Sequence, residues 1–464
     1  MSIKGVVVLA RNGDHMGCYQ DPKTYKYGPT ESTPFGEYQS HALGALLRDT
    51  YLTGSGDTKI PKISTELANL KQVHVRVKIG SEGTAVFDSA TALLQGLFPP
   101  TSKNREQLAD GTVIVAPLGG YQYIPVETVE PYNDLSLESW TNCPAFEKHI
   151  QKVYESDEFK KKAQEAGRFL SKLKDFTFGR PTTLENIWNV YDYVNTQLTH
   201  NKTFAYRLPP TYINQVRDLV NFHEDRVFSD SDMAGIGNIA GRTTTNSILT
   251  ALERISFDGD PLQVLLIETS YQPFISFFHM TEIAKHYPEL AGLPDYASAL
   301  AIEIRAGPAP DQRDFVRVKF RNGTHSDDFE TLSVFGHRGD IPLTEFIYRL
   351  ENSVIGSARE WGKVCGTNKY ATFDSVTLPE VDIKTIGEEL AHPSLNLLYG
   401  FILAIFMLFS IYTIGSFIKT KFQARKRIQL PVTAQEVQEG SNLLPTQPHR
   451  IVVADYKSVA GRRY

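Results

Sequence analysis

Short apolar runs alternate with helical patterns along the first part of the chain. Residues 5–10 form a continuous run rich in β-branched residues, which is typical of a buried, parallel strand. Residues 33–36 then open a helical spacing of leucines, and residues 73–79 alternate as a second strand does. A helix over 88–100, ended by two prolines, and a strand over 112–117 follow. This alternation of strand and helix predicts the α/β fold class.

The middle of the chain has a different pattern, helical and rich in charge, from about residue 137 to 226. Pro181 and the pair at 209–210 divide it into pieces. A helical block between two α/β stretches predicts an inserted cap. The elements predicted after it are a helix over 242–255, a strand over 262–267, a helix over 273–286 and strands over 298–305 and 315–320, the last completing the sheet.

One segment near the C-terminal end is apolar on every side. Residues 394–418 contain no charged side chain, and 22 of them, 397–418, are dominated by Leu, Ile and Phe. A bilayer core of about 30 Å needs roughly 20 such residues, so the segment predicts a single transmembrane helix. Basic residues follow it at once, from Lys419 to Arg427. This bias predicts a cytosolic tail and a body in a lumen or outside the cell.

Charge divides the 464-residue chain in the same way. Residues 419–464 hold nine basic and three acidic residues, a net charge of +6, so the total of −5 leaves −11 on residues 1–393. An acidic body lacks the basic face that nucleic-acid binding needs. We therefore expect a body over 1–390, a membrane helix over 394–418 that contacts the lipid bilayer, and a basic, mostly disordered tail over 419–464.

The N-terminus is compatible with two locations of the body. The apolar run at 5–10 is too short for the core of a signal peptide. Either further residues precede it, or the body is cytosolic and held by its tail-end anchor. Sequons for N-glycosylation at Asn201 and Asn322 are compatible with a lumenal body.

The small number of cysteines and the absence of phosphate-binding and metal-binding motifs exclude several classes of protein. The three cysteines, Cys18, Cys143 and Cys365, allow one disulfide at most and leave one thiol over. No Walker loop, dinucleotide fingerprint or zinc spacing occurs, and the acidic stretch 223–232 lacks the EF-hand pattern. The sequence therefore predicts no cofactor and no metal site.

Arg11 is the first candidate for binding chemistry. It ends the strand at 5–10, and the carboxyl edge of a parallel sheet is where α/β proteins bind ligands. A guanidinium offers a planar fork of donors that suits phosphate. The alternative is a surface or core-paired arginine beside an Asn-Gly turn.

The order of segments from about residue 3 to 355 resembles the histidine acid phosphatases, the second branch of the histidine phosphatase superfamily. That family's first motif, Arg-His-Gly-x-Arg-x-Pro, is similar to residues 11–17, Arg-Asn-Gly-Asp-His-Met-Gly. Its Leu-Thr-x-x-Gly and Arg-Thr-x-x-Ser-Ala helix starts are similar to residues 32–36 and 85–90. Further similar stretches are 123–126, 143–144, 296–304 and 342–346. The resemblance implies a three-layer αβα sandwich of the phosphoglycerate-mutase-like type, with the helical cap inserted.

The departures from the family lie on its chemistry. The nucleophilic histidine corresponds to Asn12, whose amide nitrogen has no available lone pair. The motif's second arginine corresponds to His15, and the arginine of the second helix to Ala85. The His-Asp pair that protonates the leaving group corresponds to residues 270–271, Ser-Tyr. Of the phosphate-binding loop, Arg11 and Gly13 remain.

Three functions stay open at this point. The first is a pseudophosphatase at the membrane that binds a phosphate ester or a protein ligand. The second is an active acid phosphatase with rearranged residues, in which His15 acts as nucleophile and Glu268 as general acid, or Asp14 or Glu268 activates a water. The third is a purely structural ectodomain, which a pocket filled by large side chains would favour.

Overall fold

The computed structural model describes residues 2–54, 56–80, 83–130, 133–308, 313–326 and 328–367. The predicted membrane segment at 394–418 and the predicted tail at 419–464 lie outside these residues. Within the described part of the chain, no helix is both long enough and apolar enough to cross a bilayer.

Seven strands of the described residues form one mixed sheet in the order β2-β5-β1-β6-β7-β8, with β9 also paired to β7. Strands β1, β2 and β5 run parallel, and β6 and β7 are antiparallel to their neighbours. The strands are β1 (Ile3–Arg11), β2 (Val73–Val77), β3 (Arg105–Gln107), β4 (Val113–Val115), β5 (Val264–Thr269), β6 (Ala299–Ala306), β7 (Asp314–Arg321), β8 (Glu330–Thr331) and β9 (Asp340–Pro342).

Strand β1 is central because both of its faces are apolar. Val7 and Leu9 join the core on one face of the sheet, and Val6, Val8 and Ala10 join the core on the other. Successive side chains of a strand point to opposite faces, so a strand covered on both sides needs an unbroken apolar run. The predicted parallel strand is confirmed by its pairing with β5.

Helices cover both faces of this sheet. Side chains of α1 and α2 build one apolar core, and those of α9, α10 and α12 build the other. Helices α4 to α8 come between β4 and β5 in the chain and contribute to a third core. The helices are α1 (Pro34–Leu47), α2 (Ala85–Leu97), α3 (Pro117–Gly120), α4 (Pro144–Glu155), α5 (Asp157–Leu173), α6 (Ile187–His200), α7 (Lys202–Arg207), α8 (Pro210–Val227), α9 (Ile239–Ser256), α10 (Gln272–Met280), α11 (Ile283–His286), α12 (Leu343–Leu350) and α13 (Ala358–Cys365).

Single helical turns of other types extend this framework. A π-helix continues α1 over Arg48–Thr53, and 3-10 turns occupy Lys174–Phe176, Ile236–Asn238 and Pro288–Leu290.

Three sequence predictions differ from the structure in detail. The strand predicted over 112–117 forms, but β4 pairs only with β3 and is exposed throughout, outside the main sheet. The helix predicted over 273–286 is two helices, because Glu282 adopts a left-handed φ of 60° between them. The sheet does not end with β7, since β8 and β9 add to it. Those strands are two and three residues long, too short to carry a pattern.

One disulfide, Cys143–Cys365, joins the start of α4 to the end of α13 across 222 residues of sequence. Cys18 is the cysteine outside it, as the cysteine count predicted. Disulfides persist in oxidising compartments.

Candidate functional site

The carboxyl ends of the three parallel strands meet at one edge of the sheet. Arg11 ends β1, Lys78 follows β2, and Ser270 follows β5. Ligands of open α/β sheets bind at such an edge. The Nζ of Lys78 donates to the Oγ of Ser270 over 2.8 Å, which joins two of the strand ends directly.

The loop after β1 is held by its backbone. The amide of Gly13 donates to Ser89 Oγ over 3.1 Å, and the amide of Asp14 donates to Gln39 Oε1 over 2.9 Å. Gly13 and Gly36 pack backbone against backbone, because a Cβ on Gly13 would overlap the carbonyl of Gly36, and one on Gly36 the carbonyl of Asp14. The loop is therefore fixed against the start of α1 by contacts that leave no room for a side chain.

Arg11 lies between two tyrosines. Its guanidinium carbon is 4.4 Å from the ring centre of Tyr296 and 5.6 Å from that of Tyr271. Its Nη1 donates to the carbonyl of Pro294, while its Nε is buried with no hydrogen-bond partner among the described residues. The Nε–H of the guanidinium is therefore still available as a donor. Both ring distances lie within the range at which cation–π attraction acts.

The positions that the family resemblance assigned to catalysis converge on one small cavity. Arg11, Asn12, His15 and Ala85 line it together with the Ser-Tyr pair at 270–271. Asn12 is buried there, and its Nδ2 donates to the carbonyl of Gly13 over 2.8 Å. The order of these residues along the chain does not reveal how far apart they lie. That they share one cavity is a finding of the structure.

Aromatic side chains close this cavity. Tyr27, Trp188 and Tyr271 form part of its wall, with the rings of Trp188 and Tyr271 stacked 6.3 Å apart. Its volume is about 10 Å³, close to the smallest that holds one water molecule. The aromatic rings thus fill the pocket, as the purely structural ectodomain predicts, and binding of a phosphate group requires these rings to move.

The hydroxyl of Tyr271, which the family resemblance assigns to the proton-donor position, is hydrogen-bonded within a buried network. It donates to Glu224 Oε2 over 2.9 Å, and Glu224 also accepts from Tyr25 and contacts the ring of His223. Burial raises the pKa of Tyr271 well above its ordinary value, which keeps the phenol protonated. Because that proton is shared with Glu224, it is not directed at a leaving group. His223, the first residue of the acidic stretch 223–232, belongs to this buried network.

Lys78 lies against two residues of the cavity wall, Ser270 and Tyr27, and the sequence analysis missed it. It is fully buried, and its ammonium lies 5.3 Å from the ring centre of Tyr27 and 5.1 Å from that of Trp140. A buried ammonium is costly unless it is paired, so a lysine at the end of β2 marks a polar site. The signal was its place near the end of the alternating stretch 73–79, and the pairing of β2 with β5 that brings it to the edge was not visible in the sequence.

His15, Cys18 and Asp192 form a second group beside the cavity. One donor atom of each lies within 4.8 Å of those of the other two. His15 Nε2 is 3.9 Å from Asp192 Oδ1 and 3.2 Å from the hydroxyl of Tyr296. Burial raises the pKa of Asp192 to about 6, against the opposing effects of His15 and the amide of Cys18. Asp192 was missed because it lies on α6, far along the chain, one helical turn from Trp188.

Two predicted acid–base residues lie away from the cavity wall. Asp14 Oδ2 accepts from Thr33 over 2.6 Å and contacts His200 Nε2 at 2.7 Å. Glu268 is fully buried within β5, and neither carboxyl oxygen has a hydrogen-bond partner among the described residues. Its burial raises the pKa to about 8. Neither side chain lines the cavity that Arg11 and Asn12 share.

Comparison with known proteins defines the class of this protein. Residues 4–321 match the family model of the histidine phosphatase superfamily (branch 2), and the chain belongs to this family. The fold is the mixed α/β fold of that family.

Individual relatives agree with this assignment. The chain is 29% identical over 372 residues to the lysosomal acid phosphatase of Homo sapiens, and 26% identical over 373 residues to that of Bos taurus. Each alignment covers 78% of this chain and 80% of the relative. Among solved structures, the apo form of Hafnia alvei phytase has a TM-score of 0.53 at 12% identity and covers 78% of this chain and 98% of its own.

Proposed function

We propose that this chain is a membrane-anchored histidine acid phosphatase-like protein that has lost phosphohistidine chemistry and binds a phosphate ester or a protein ligand through the edge of its sheet. The observation that carries the proposal is Asn12. It lines the cavity together with Arg11, and the family resemblance assigns its position to the nucleophile. Its amide nitrogen cannot attack phosphorus, because its lone pair is delocalised into the carbonyl.

The neighbours of Asn12 support the same conclusion. Ala85 lines the cavity with a methyl group that donates nothing to a phosphate oxygen. Tyr271 shares its hydroxyl proton with Glu224. Loss of one general acid or one oxyanion donor typically lowers a rate by about 10²–10⁴. Their combined loss leaves Arg11 as a cation suited to holding an anion rather than to cleaving one.

An active phosphatase is the second candidate, and His15 is the observation that favours it. This imidazole lines the same cavity as Arg11. A nucleophilic role would need its Nε2, since Nδ1 lies 2.7 Å from the carbonyl of Met16 and donates to it. Glu268 contributes less to this candidate, because its carboxyl group lies away from the cavity wall.

A lumenal or extracellular body fits both candidates. The Cys143–Cys365 disulfide is of the kind that persists in oxidising compartments. The basic residues after 394–418 support a cytosolic tail. In sealed vesicles whose cytosolic face points outward, added protease should digest the tail and spare the body, and the reverse pattern would contradict this orientation.

The test is turnover of a generic aryl phosphate by the full chain in detergent, between about pH 3 and about pH 8, a range that spans the ordinary pKa values of carboxyl and imidazole groups. We expect the wild type and an Arg11→Ala variant to release phosphate at the same background rate. Turnover by the wild type that Arg11→Ala abolishes would overturn the proposal and favour the active phosphatase.

A further inference from the structure

We propose that His15, Cys18 and Asp192 bind a zinc ion next to the cavity that Arg11 and Asn12 line. The proposal rests on the proposed function, since a pocket without phosphohistidine chemistry is available to another ligand. The three side chains supply one nitrogen, one sulfur and one oxygen donor, which is a donor set that suits zinc. Hard cations such as magnesium and calcium prefer oxygen ligands alone.

The spacing of the donors is close to what zinc requires. A tetrahedral ion with bonds of ~2.1 Å to nitrogen and oxygen and ~2.3 Å to sulfur holds its ligand atoms about 3.3–3.7 Å apart. Here the three donor atoms lie within 4.8 Å of one another, and His15 Nε2 is 3.9 Å from Asp192 Oδ1. The donor atoms therefore need to approach one another by about an ångström to reach the separations of a tetrahedral site.

The imidazole is prepared for a metal by its other nitrogen. His15 Nδ1 is 2.7 Å from the carbonyl oxygen of Met16, and a carbonyl only accepts, so Nδ1 carries the proton. That tautomer leaves a lone pair on Nε2, which faces Asp192. Metal-binding histidines are held in this way, with the second ring nitrogen donating to a carbonyl or a carboxylate.

The carboxylate is oriented in the same manner. Asp192 is 2% exposed. Its Oδ2 accepts the backbone amide of Cys18 over 2.9 Å, whereas its Oδ1 is buried with no hydrogen-bond partner among the described residues. A buried carboxylate oxygen without a donor is costly. A cation between Oδ1 and Nε2 would satisfy it.

The charges and the space around the cluster allow a fourth ligand. The carboxylate and a thiolate at Cys18 neutralise the two charges of zinc, and the thiol proton leaves to solvent on binding. His15 and Cys18 line the cavity that Arg11 also lines, and its volume of about 10 Å³ suits one water as the fourth ligand. The hydroxyl of Tyr296, now 3.2 Å from His15 Nε2, must turn away as the ion enters.

The test measures zinc on the full chain in detergent, after treatment with a chelator and dialysis against zinc chloride. We expect one tightly held zinc per wild-type chain. Cys18→Ser and Asp192→Asn should each weaken zinc binding by more than the roughly 10–100-fold that loss of an outer-shell partner costs. His41→Ala, which removes an exposed imidazole of α1, is the matched control and should bind as the wild type does.

A second measurement keeps the proposal open to refutation if a variant fails to fold. Cobalt added to the wild type should produce a thiolate-to-metal charge-transfer band. The absence of that band, or zinc bound equally by Cys18→Ser and the wild type, would overturn the zinc site. Metal content and aryl phosphate turnover are read separately. Absent zinc without turnover refutes this inference alone, and turnover that depends on Arg11 refutes the proposed function.

Discussion

The backbone of the Arg11–His15 loop and the side chains that line the adjoining cavity differ in how well they match a phosphate site. The loop has close glycine packing against α1 and amide bonds to Ser89 and Gln39. The cavity has an asparagine and an alanine at positions where the family resemblance places a nucleophile and an arginine. The backbone of the loop is closely packed, whereas the side chains at these two positions offer neither an imidazole nor a guanidinium group.

The contrast shows that the fold and the chemistry depend on separate residues. The loop conformation follows from glycine contacts and backbone hydrogen bonds, none of which involves the side chains of Asn12 or Ala85 except the bond from Asn12 to Gly13. Replacing a reactive side chain therefore leaves the loop in place. Fold alone does not determine function for the same reason.

The largest expected effect tests the loop support. Gly36→Ala places a Cβ on the carbonyl of Asp14, so either α1 or the loop must shift. We expect the free energy of unfolding to fall by at least about 3 kcal/mol, at the upper end for overpacking because both partners are backbone. Denaturant unfolding followed by circular dichroism measures this loss.

The matched control is Gly167→Ala within α5, where an added Cβ meets nothing within 4 Å. Alanine is the better helix former, so this variant should gain about 0.5–1 kcal/mol. Equal effects of the two substitutions would break the comparison, because the loop would then not depend on close packing.

The second expected effect concerns the disulfide that ties α4 to α13. Replacing Cys143 and Cys365 by alanine removes a bond between two residues that are 222 positions apart in the chain. Loss of a native disulfide typically lowers the free energy of unfolding by roughly 2–5 kcal/mol. The melting temperature should fall, while the content of helix and strand in circular dichroism should stay the same. A variant as stable as the wild type would show that this bond adds nothing to the fold.

The third prediction uses the buried carboxyl of Glu268. In the folded state its pKa is about 8, against 4.5 for the ordinary side chain. The folded state therefore holds more protons between these values, and stability falls as the pH rises through that window. Glu268→Gln should remove this slope and raise the free energy of unfolding at neutral pH by on the order of 3 kcal/mol.

Glu303 in β6 is the control, because it is buried with partners. It contacts Arg305 at 2.6 Å, Tyr51 at 3.0 Å and Lys319 at 3.2 Å. Glu303→Gln should lower stability by about 3–5 kcal/mol, since it leaves buried cations uncompensated. A loss of stability in Glu268→Gln as well would contradict the account of Glu268 as a carboxyl without a partner.

The smallest expected effect belongs to Asn12. Asn12→Ala removes one hydrogen bond to the carbonyl of Gly13, and such a bond contributes about 0.5–1.5 kcal/mol. Thermal unfolding should show a correspondingly small shift. A loss as large as that of Gly36→Ala would mean that Asn12 belongs to the loop support, and the distinction drawn above would fail.

The sequence predicted the elements that carry strong patterns. Strand β1 was predictable because a strand buried on both faces needs an unbroken apolar run, and Arg11 followed as its last residue. The exposed position of β4 beside β3 was not predictable, because an apolar strand pattern does not show which strand it pairs with, and the two-residue β8 is too short to carry a pattern. Glu268 was proposed as a catalytic acid from its strand-end position, which does not reveal that its side chain lies away from the cavity.

The candidate site was only half predictable. Arg11, Asn12 and His15 are neighbours in the chain, and Ala85 and Tyr271 came from the family resemblance. Lys78 and Asp192 reach the site through the pairing of β2 with β5 and the placement of α6. Such long-range contacts are decided by packing and leave no mark in local sequence.

The central claim is that no phosphohistidine forms on this chain, and trapping the phosphoenzyme tests it most directly. The full-length protein is mixed with a radiolabelled aryl phosphate, quenched in alkaline denaturant, in which a phosphohistidine survives, and its peptides are read by mass spectrometry. We predict no covalent label on the wild type. Label on His15 that disappears in Arg11→Ala would contradict the account and identify the replacement nucleophile.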